Sequence, residues 1–173
     1  MTMENIIGVY RQIYEANVPL LRFLNDASMP APKPLLAAAE YVCNMDLKHM
    51  IEDDAVDPEK IRQMTDEVKL MGVSLDAPTV EMSIRRCLGK KAAEFYDKPT
   101  DMGLLRHLDD LLTILSYFPF EINVRKVQNH IYDVLIHKYP SVRHAAADDA
   151  EKQRWVDLFE SVCGKLKLQI LKD

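Results

Sequence analysis

A chain of 173 residues with 48% hydrophobic and 28% charged side chains falls in the soluble globular class, and one domain of that size buries about 70% of its unfolded surface without disulfides or metals. Only 5 glycines stand against 9 prolines, which argues against Gly-rich phosphate loops and many-turned β-sandwiches. The 22 basic and 27 acidic residues leave a net charge of −5, the wrong sign for a general nucleic-acid surface.

Ile6, Tyr10, Ile13 and Tyr14 recur at helical spacing behind Thr2, a candidate cap, and Asn17-Val18-Pro19 predicts a break before Leu20, Leu21, Phe23 and Leu24. Met29-Pro30-Ala31-Pro32-Lys33-Pro34 reads as a stiff connector, because each proline biases its predecessor toward extended backbone. Pro34 suits a helix start, and Leu36, Ala39, Cys43, Leu47 and Met50 give the second helix one apolar face. Asp57-Pro58 caps a third helix whose stripe Ile61, Met64, Val68 and Met71 stops at Gly72. Ser74 or Asp76 caps a fourth, carried by Val80, Ile84, Leu88, Ala92 and Phe95 to about Tyr96. Lys98-Pro99-Thr100-Asp101 restarts the pattern for a leucine-rich fifth helix over Leu104–Leu115, broken at Pro119. Asn123 caps a sixth holding Val127, Ile131, Val134 and Leu135, which Tyr139-Pro140 ends. After a short segment with His144 and three alanines, Asp148 or Asp149 caps a seventh bearing Trp155, Leu158, Phe159, Val162 and Leu166. The tail from Lys165 to Ile170 alternates as a short strand would.

These elements predict an all-α fold, an irregular bundle of about six to seven helices in one domain over residues 1–173. Helix starts near 34, 58, 77, 101, 123 and 148 also give pair-to-pair spacings of about 43 and 46 residues, so a short two-helix-repeat array is the alternative. Cys43, Cys87 and Cys163 are odd in number, far apart and set among apolar neighbours, as reduced thiols of a cytoplasmic protein are. No apolar run reaches the roughly 18 to 20 residues of a membrane span, so no membrane partner is expected.

Few residues group as chemistry would require. Asp46, His49 and Glu52, and His130, Asp133 and His137, have spacing that places metal ligands on one helix face, but neither forms a Glu-x-x-His pair, and both read as solvated faces. The adjacent acids Asp53-Asp54, Asp109-Asp110 and Asp148-Asp149 point about 100° apart on a helix and suit capping better than catalysis. Arg85, Arg86, Lys90 and Lys91 form a basic cluster, a solvated face by default and a docking surface for an acidic domain as the sharper reading. Tyr117-Phe118-Pro119-Phe120 gathers aromatics at a helix break, which either plugs a helix junction or stacks on sugar rings. No catalytic residue, metal or cofactor is assigned.

Three stretches carry a family resemblance: Tyr14-Glu15-Ala16-Asn17-Val18-Pro19-Leu20; Pro34-Leu35-Leu36-Ala37-Ala38-Ala39-Glu40-Tyr41-Val42-Cys43-Asn44; and Pro119-Phe120-Glu121-Ile122-Asn123 with Gln128-Asn129 and Tyr132. Together with the Gly72-Val73-Ser74-Leu75-Asp76 link, they resemble the helical C-terminal region, a domain of unknown function, of family-57 glycoside hydrolase-like (α-amylase-like) proteins. The resemblance implies a parent chain in carbohydrate metabolism whose irregular (β/α) barrel cleaves α-glucans with a nucleophilic Glu and an acid Asp. This chain lacks the alternating strands of a barrel, so neither residue can be placed on it. It would be an excised, non-catalytic C-terminal domain that buttresses the barrel or completes its cleft, with that barrel as partner and α-glucan as a further one. Glu40, Asn44, Glu121, Asn123, Gln128 and Asn129 would then serve in capping and buried hydrogen bonding, or line a groove against the barrel beside Tyr117, Phe118 and Phe120. The competing reading is a free-standing helical module that binds a protein partner.

Overall fold

The computed structural model describes residues 3–170, which fold as eight α-helices: α1 (Met3–Asp26), α2 (Lys33–Glu52), α3 (Pro58–Leu70), α4 (Ala77–Asp97), α5 (Met102–Thr113), α6 (Arg125–His137), α7 (Tyr139–Ala145) and α8 (Ala150–Lys165). Single 3-10 turns follow α5 at Ile114–Tyr117 and α7 at Ala146–Asp148. The acid residues read as caps act as such, and Asp101, read only as part of the segment that restarts the pattern, caps α5 as well. The side chain of Asp57 accepts from the Glu59 and Lys60 N–H groups, Asp76 from Thr79, Asp101 from Gly103 and Leu104, and Asp149 from Glu151 and Lys152. Part of the acidic excess is thus spent on helix starts, with Asp76 chosen over Ser74 and Asp149 over Asp148.

α4 lies at the centre, packed on α2, α5 and α6, while α8 packs on α5 and α7. The helices form an all-α bundle in which each contacts its near neighbours in the chain, α5 also touching α3 and α8, so the packing order follows the helix-pair spacing read from the sequence. The main core runs from Leu47 to Leu166, and Phe95, Leu105, Leu108, Leu111 and Phe159 are fully buried in it. A second cluster of Tyr14, Leu21, Ala39, Val42, Cys43, Val68, Met71 and Val73 fastens α1 to α2 and α3, and Met64 and Leu75 touch both clusters.

Four expectations need correction or fall outside the description. α1 runs unbroken through Pro19. The missing N–H strands only the carbonyl of Glu15, which lies with Pro19 on the exposed side where water can serve it, and buried Tyr14 and Leu21 hold both halves in line. Tyr139-Pro140 opens a short helix as well as ending α6, since a proline in the first turn forfeits no helical bond. The tail is no strand. Lys167 takes a left-handed φ of 57°, the Leu168 N–H donates to the Cys163 carbonyl, and α8 ends in a Schellman-type closure. The alternation instead records Leu166, Leu168 and Ile170 packing on the core. Thr2 lies outside the described residues.

Gly72 ends α3 as expected, with φ 65°. A methyl group there would sit 2.6 Å from Asn25 Oδ1, on the side chain whose Nδ2 donates to the Leu70 carbonyl. Gly72→Ala should therefore cost about 1–2 kcal/mol for the left-handed backbone, read from the urea midpoint, and also release the end of α1 from α3.

Candidate functional site

The residues named from the sequence do not gather into one site. Asn44, on α2, is a clamp: its Oδ1 accepts from the Asp76 N–H at 2.7 Å, and its Nδ2 donates to the Ser74 carbonyl at 3.2 Å and to that of Glu40 at 2.7 Å. It fixes the α3–α4 link on the shoulder of α2. Glu40 is half-buried one turn earlier. Gln128 Nε2 donates to the Leu166 carbonyl at 2.9 Å and ties the chain's tail to α6. Asn123 Oδ1 accepts from the Arg125 N–H at 3.0 Å and turns the chain into α6. Asn123 and Asn129 come together along a groove between α4 and α6. Glu121 stands exposed in the connector before them.

Tyr117, Phe118 and Phe120 all pack on the main core, with Phe118 only 7% exposed and its ring centre 5.4 Å from that of Phe120. This is the plug at a helix junction, and it leaves little aromatic face for a sugar.

The suspected clusters are tied up in pairwise bonds. Asp46 holds Arg11 through two hydrogen bonds, at 2.6 and 3.0 Å, and Glu52 accepts from Ser83 and Arg86. Among the described residues, no group of three or more His, Cys, Asp or Glu is placed to hold a metal ion. Asp109 accepts from Ser161 at 2.8 Å and Lys165 at 2.6 Å, fastening α8 to α5. Burial, and then the Asp109 carboxylate beside it, push Asp110 above the usual carboxylate range. Burial also pushes the Cys43 thiol up to about 11 and the Cys163 thiol up to about 12, so neither is a nucleophile at neutral pH. Lys91 departs from the expected solvated face: its side chain is 16% exposed, between Asp54 and Glu94.

What sequence reading missed lies on α1. One side of this helix is secured to the bundle by Tyr14 and Leu21, by the Arg11–Asp46 pair, and by Arg22, whose Nη2 lies 2.5 Å from Glu67 Oε1. On another side Val9 is 56% exposed, Ile13 36%, Leu20 43% and Phe23 63%. With half-buried Ile6 and exposed Ala16, these residues step by three and four in strict alternation and occupy an arc of roughly 100°. That is the a/d spacing by which one helix seats against another. Apolar residues cover about 200° of the circumference of α1, and its neighbours cover only part of that. A signal was present in the sequence: Ile6, Val9, Ile13, Leu20 and Phe23 are more apolar positions than the Tyr10, Tyr14 and Leu21 face needs.

No protein-family model, curated protein or solved structure matches this chain.

Proposed function

We propose that this chain is a non-catalytic helical domain that docks through the uncovered face of α1 on another domain of the same protein, and that this neighbour is the α-glucan-cleaving barrel implied by the likeness to family-57 glycoside hydrolase-like proteins. The observation that carries the reading is the heptad-spaced stripe Val9, Ile13, Ala16, Leu20 and Phe23, left open on a helix whose other side is pinned by ion pairs and buried rings. A continuous apolar stripe of this kind marks a surface that another apolar surface covers. The polar constellations support the non-catalytic part, because Asp46, Glu52 and Asp109 are each engaged in joining two helices. A cytoplasmic setting fits three unpaired cysteines.

The test mixes the purified chain with a family-57-like barrel encoded in the same genome. Co-elution on size exclusion is expected, with no reducing sugar released from starch or maltooligosaccharides by the chain alone. Hydrolysis by the chain, or failure to form a complex, would overturn the reading.

A further inference from the structure

The first turns of α6 and the middle of α4 line a groove of about 780 Å³. Arg85, Arg86 and Lys90 stand on one wall, Arg125 and Lys126 on the other, and no Asp or Glu lines it. In a chain of net charge −5 this is a strong local inversion of sign, and five like charges around one volume repel each other until an anion enters. Internal carboxylates neutralise them incompletely. Arg86 is paired with Glu52, Arg85 reaches Glu81 only at 3.6 Å and Lys90 reaches Glu94 only at 3.9 Å. Arg125 and Lys126 have no carboxylate within ion-pairing distance among the described residues.

A second, independent feature aims at the same space. α6 begins in the groove, and the Asn123 side chain occupies only the first of its open N–H groups, that of Arg125. No side chain caps the next two, of Lys126 and Val127, so the positive end of a 13-residue helix is presented together with the guanidinium and ammonium groups. At Gly89 the wall of the groove is backbone with open space where a side chain would stand, which lets a ligand approach α4 closely. Planar guanidiniums, backbone N–H donors and the amides of Asn123 and Asn129 are donors suited to phosphoryl oxygens. Several fixed cations around one compact volume call for several negative charges in one small ligand, which a single carboxylate lacks.

We propose that the groove between α4 and α6 binds a small anion carrying two or more phosphoryl groups. This site is separate from the α1 face and does not depend on the docking reading. The probe is inorganic tripolyphosphate, titrated into the ¹⁵N-labelled chain with calorimetry in parallel, and with inorganic phosphate and a poly-glutamate peptide as comparison ligands. Saturable shifts are expected at the amides of Gly89, Lys126 and Val127, with orthophosphate weaker by at least about tenfold. Arg125→Gln and Lys126→Gln, at exposed positions that leave the fold intact by circular dichroism, should each weaken tripolyphosphate about tenfold. Absence of saturable shifts at millimolar probe, equal affinity in both variants, or tighter binding of poly-glutamate would overturn the proposal. The last of these outcomes would assign the groove to an acidic protein surface instead.

Discussion

Phe159→Ala is expected to remove about 3–5 kcal/mol of stability, the usual cost of deleting a buried phenyl ring, from a domain whose total is about 5–15 kcal/mol. Phe159 has no exposed surface and is the hub of the aromatic core. Its ring centre lies 4.8 Å from Trp155 at an interplanar angle of 8°, 5.6 Å from Tyr139 and 6.3 Å from Phe95. Three of these four rings come from the fold's second half, on α7 and α8, and one from α4, so the hole would open where those helices meet. The surroundings relax poorly. Trp155 is held by donation from its Nε1–H to the Pro99 carbonyl at 2.8 Å, and Tyr139 by its hydroxyl's bond to Glu160 at 2.5 Å. Partners fixed at their polar ends cannot slide into the void, so the cavity penalty adds to the lost transfer free energy. The melting temperature should fall by roughly 10 °C, at about 2–4 °C per kcal/mol for a chain of this length. Phe159→Leu, which keeps most of the volume, should cost less than half as much. The chain has a single tryptophan, so Trp155 emission follows the site directly: a red shift in Phe159→Ala before any global unfolding is the expected mark of the cavity.

The contrast between the aromatic hub and α1 shows which features local sequence encodes. Asp57, Asp76 and Asp149 were readable because a cap acts on N–H groups two or three residues away, and the same holds for Gly72, whose left-handed backbone is a local demand. The apolar stripes of α2 to α6 and α8 were readable because a helix buried on one side writes one period into its sequence. α1 carries two interleaved stripes, and without knowledge of its neighbours they read as one pattern interrupted by Pro19. Pro19 itself misled because the cost of a missing N–H depends on whether the stranded carbonyl meets water, and that is a property of the packed helix. The basic groove was half legible. Arg85, Arg86 and Lys90 cluster within one and a half turns, but Arg125 and Lys126 join them only through the packing of α6 on α4, a contact across some 35 residues that no local pattern records. Asn44 and Gln128 were noticed, either as capping and buried hydrogen-bonding residues or as groove lining, but the partners that make them clamps, Asp76, Ser74 and Leu166, are distant in the chain and no local pattern names them.

Charge placed on the open face of α1 should abolish docking while leaving the fold alone. Phe23→Glu together with Val9→Lys is expected to weaken the complex by at least about 100-fold, close to 3 kcal/mol. More than half of each side chain is still in water in the isolated domain, 63% for Phe23 and 56% for Val9. Covering what remains of a phenylalanine and a valine would contribute roughly 1–2 kcal/mol each, in proportion to the about 1.5–3 kcal/mol of a fully buried side chain of this kind. The substituted charges add the cost of desolvation on top of that loss. Stability should move by no more than about 0.5 kcal/mol, because neither side chain belongs to the Tyr14 and Leu21 cluster that fastens α1. That separation distinguishes the variant from Phe159→Ala, which would also lose a partner but only by losing the fold. Glu15→Gln, on the polar side of α1, serves as the control and should leave the complex unchanged within about twofold, as expected of a substitution outside the contact. Titration of the barrel with each variant by calorimetry reads all three. Equal affinity in the double variant would move docking away from α1. Self-association of the unmodified chain that the same two substitutions abolish would make the occupant of the stripe a second copy and would refute the interdomain reading.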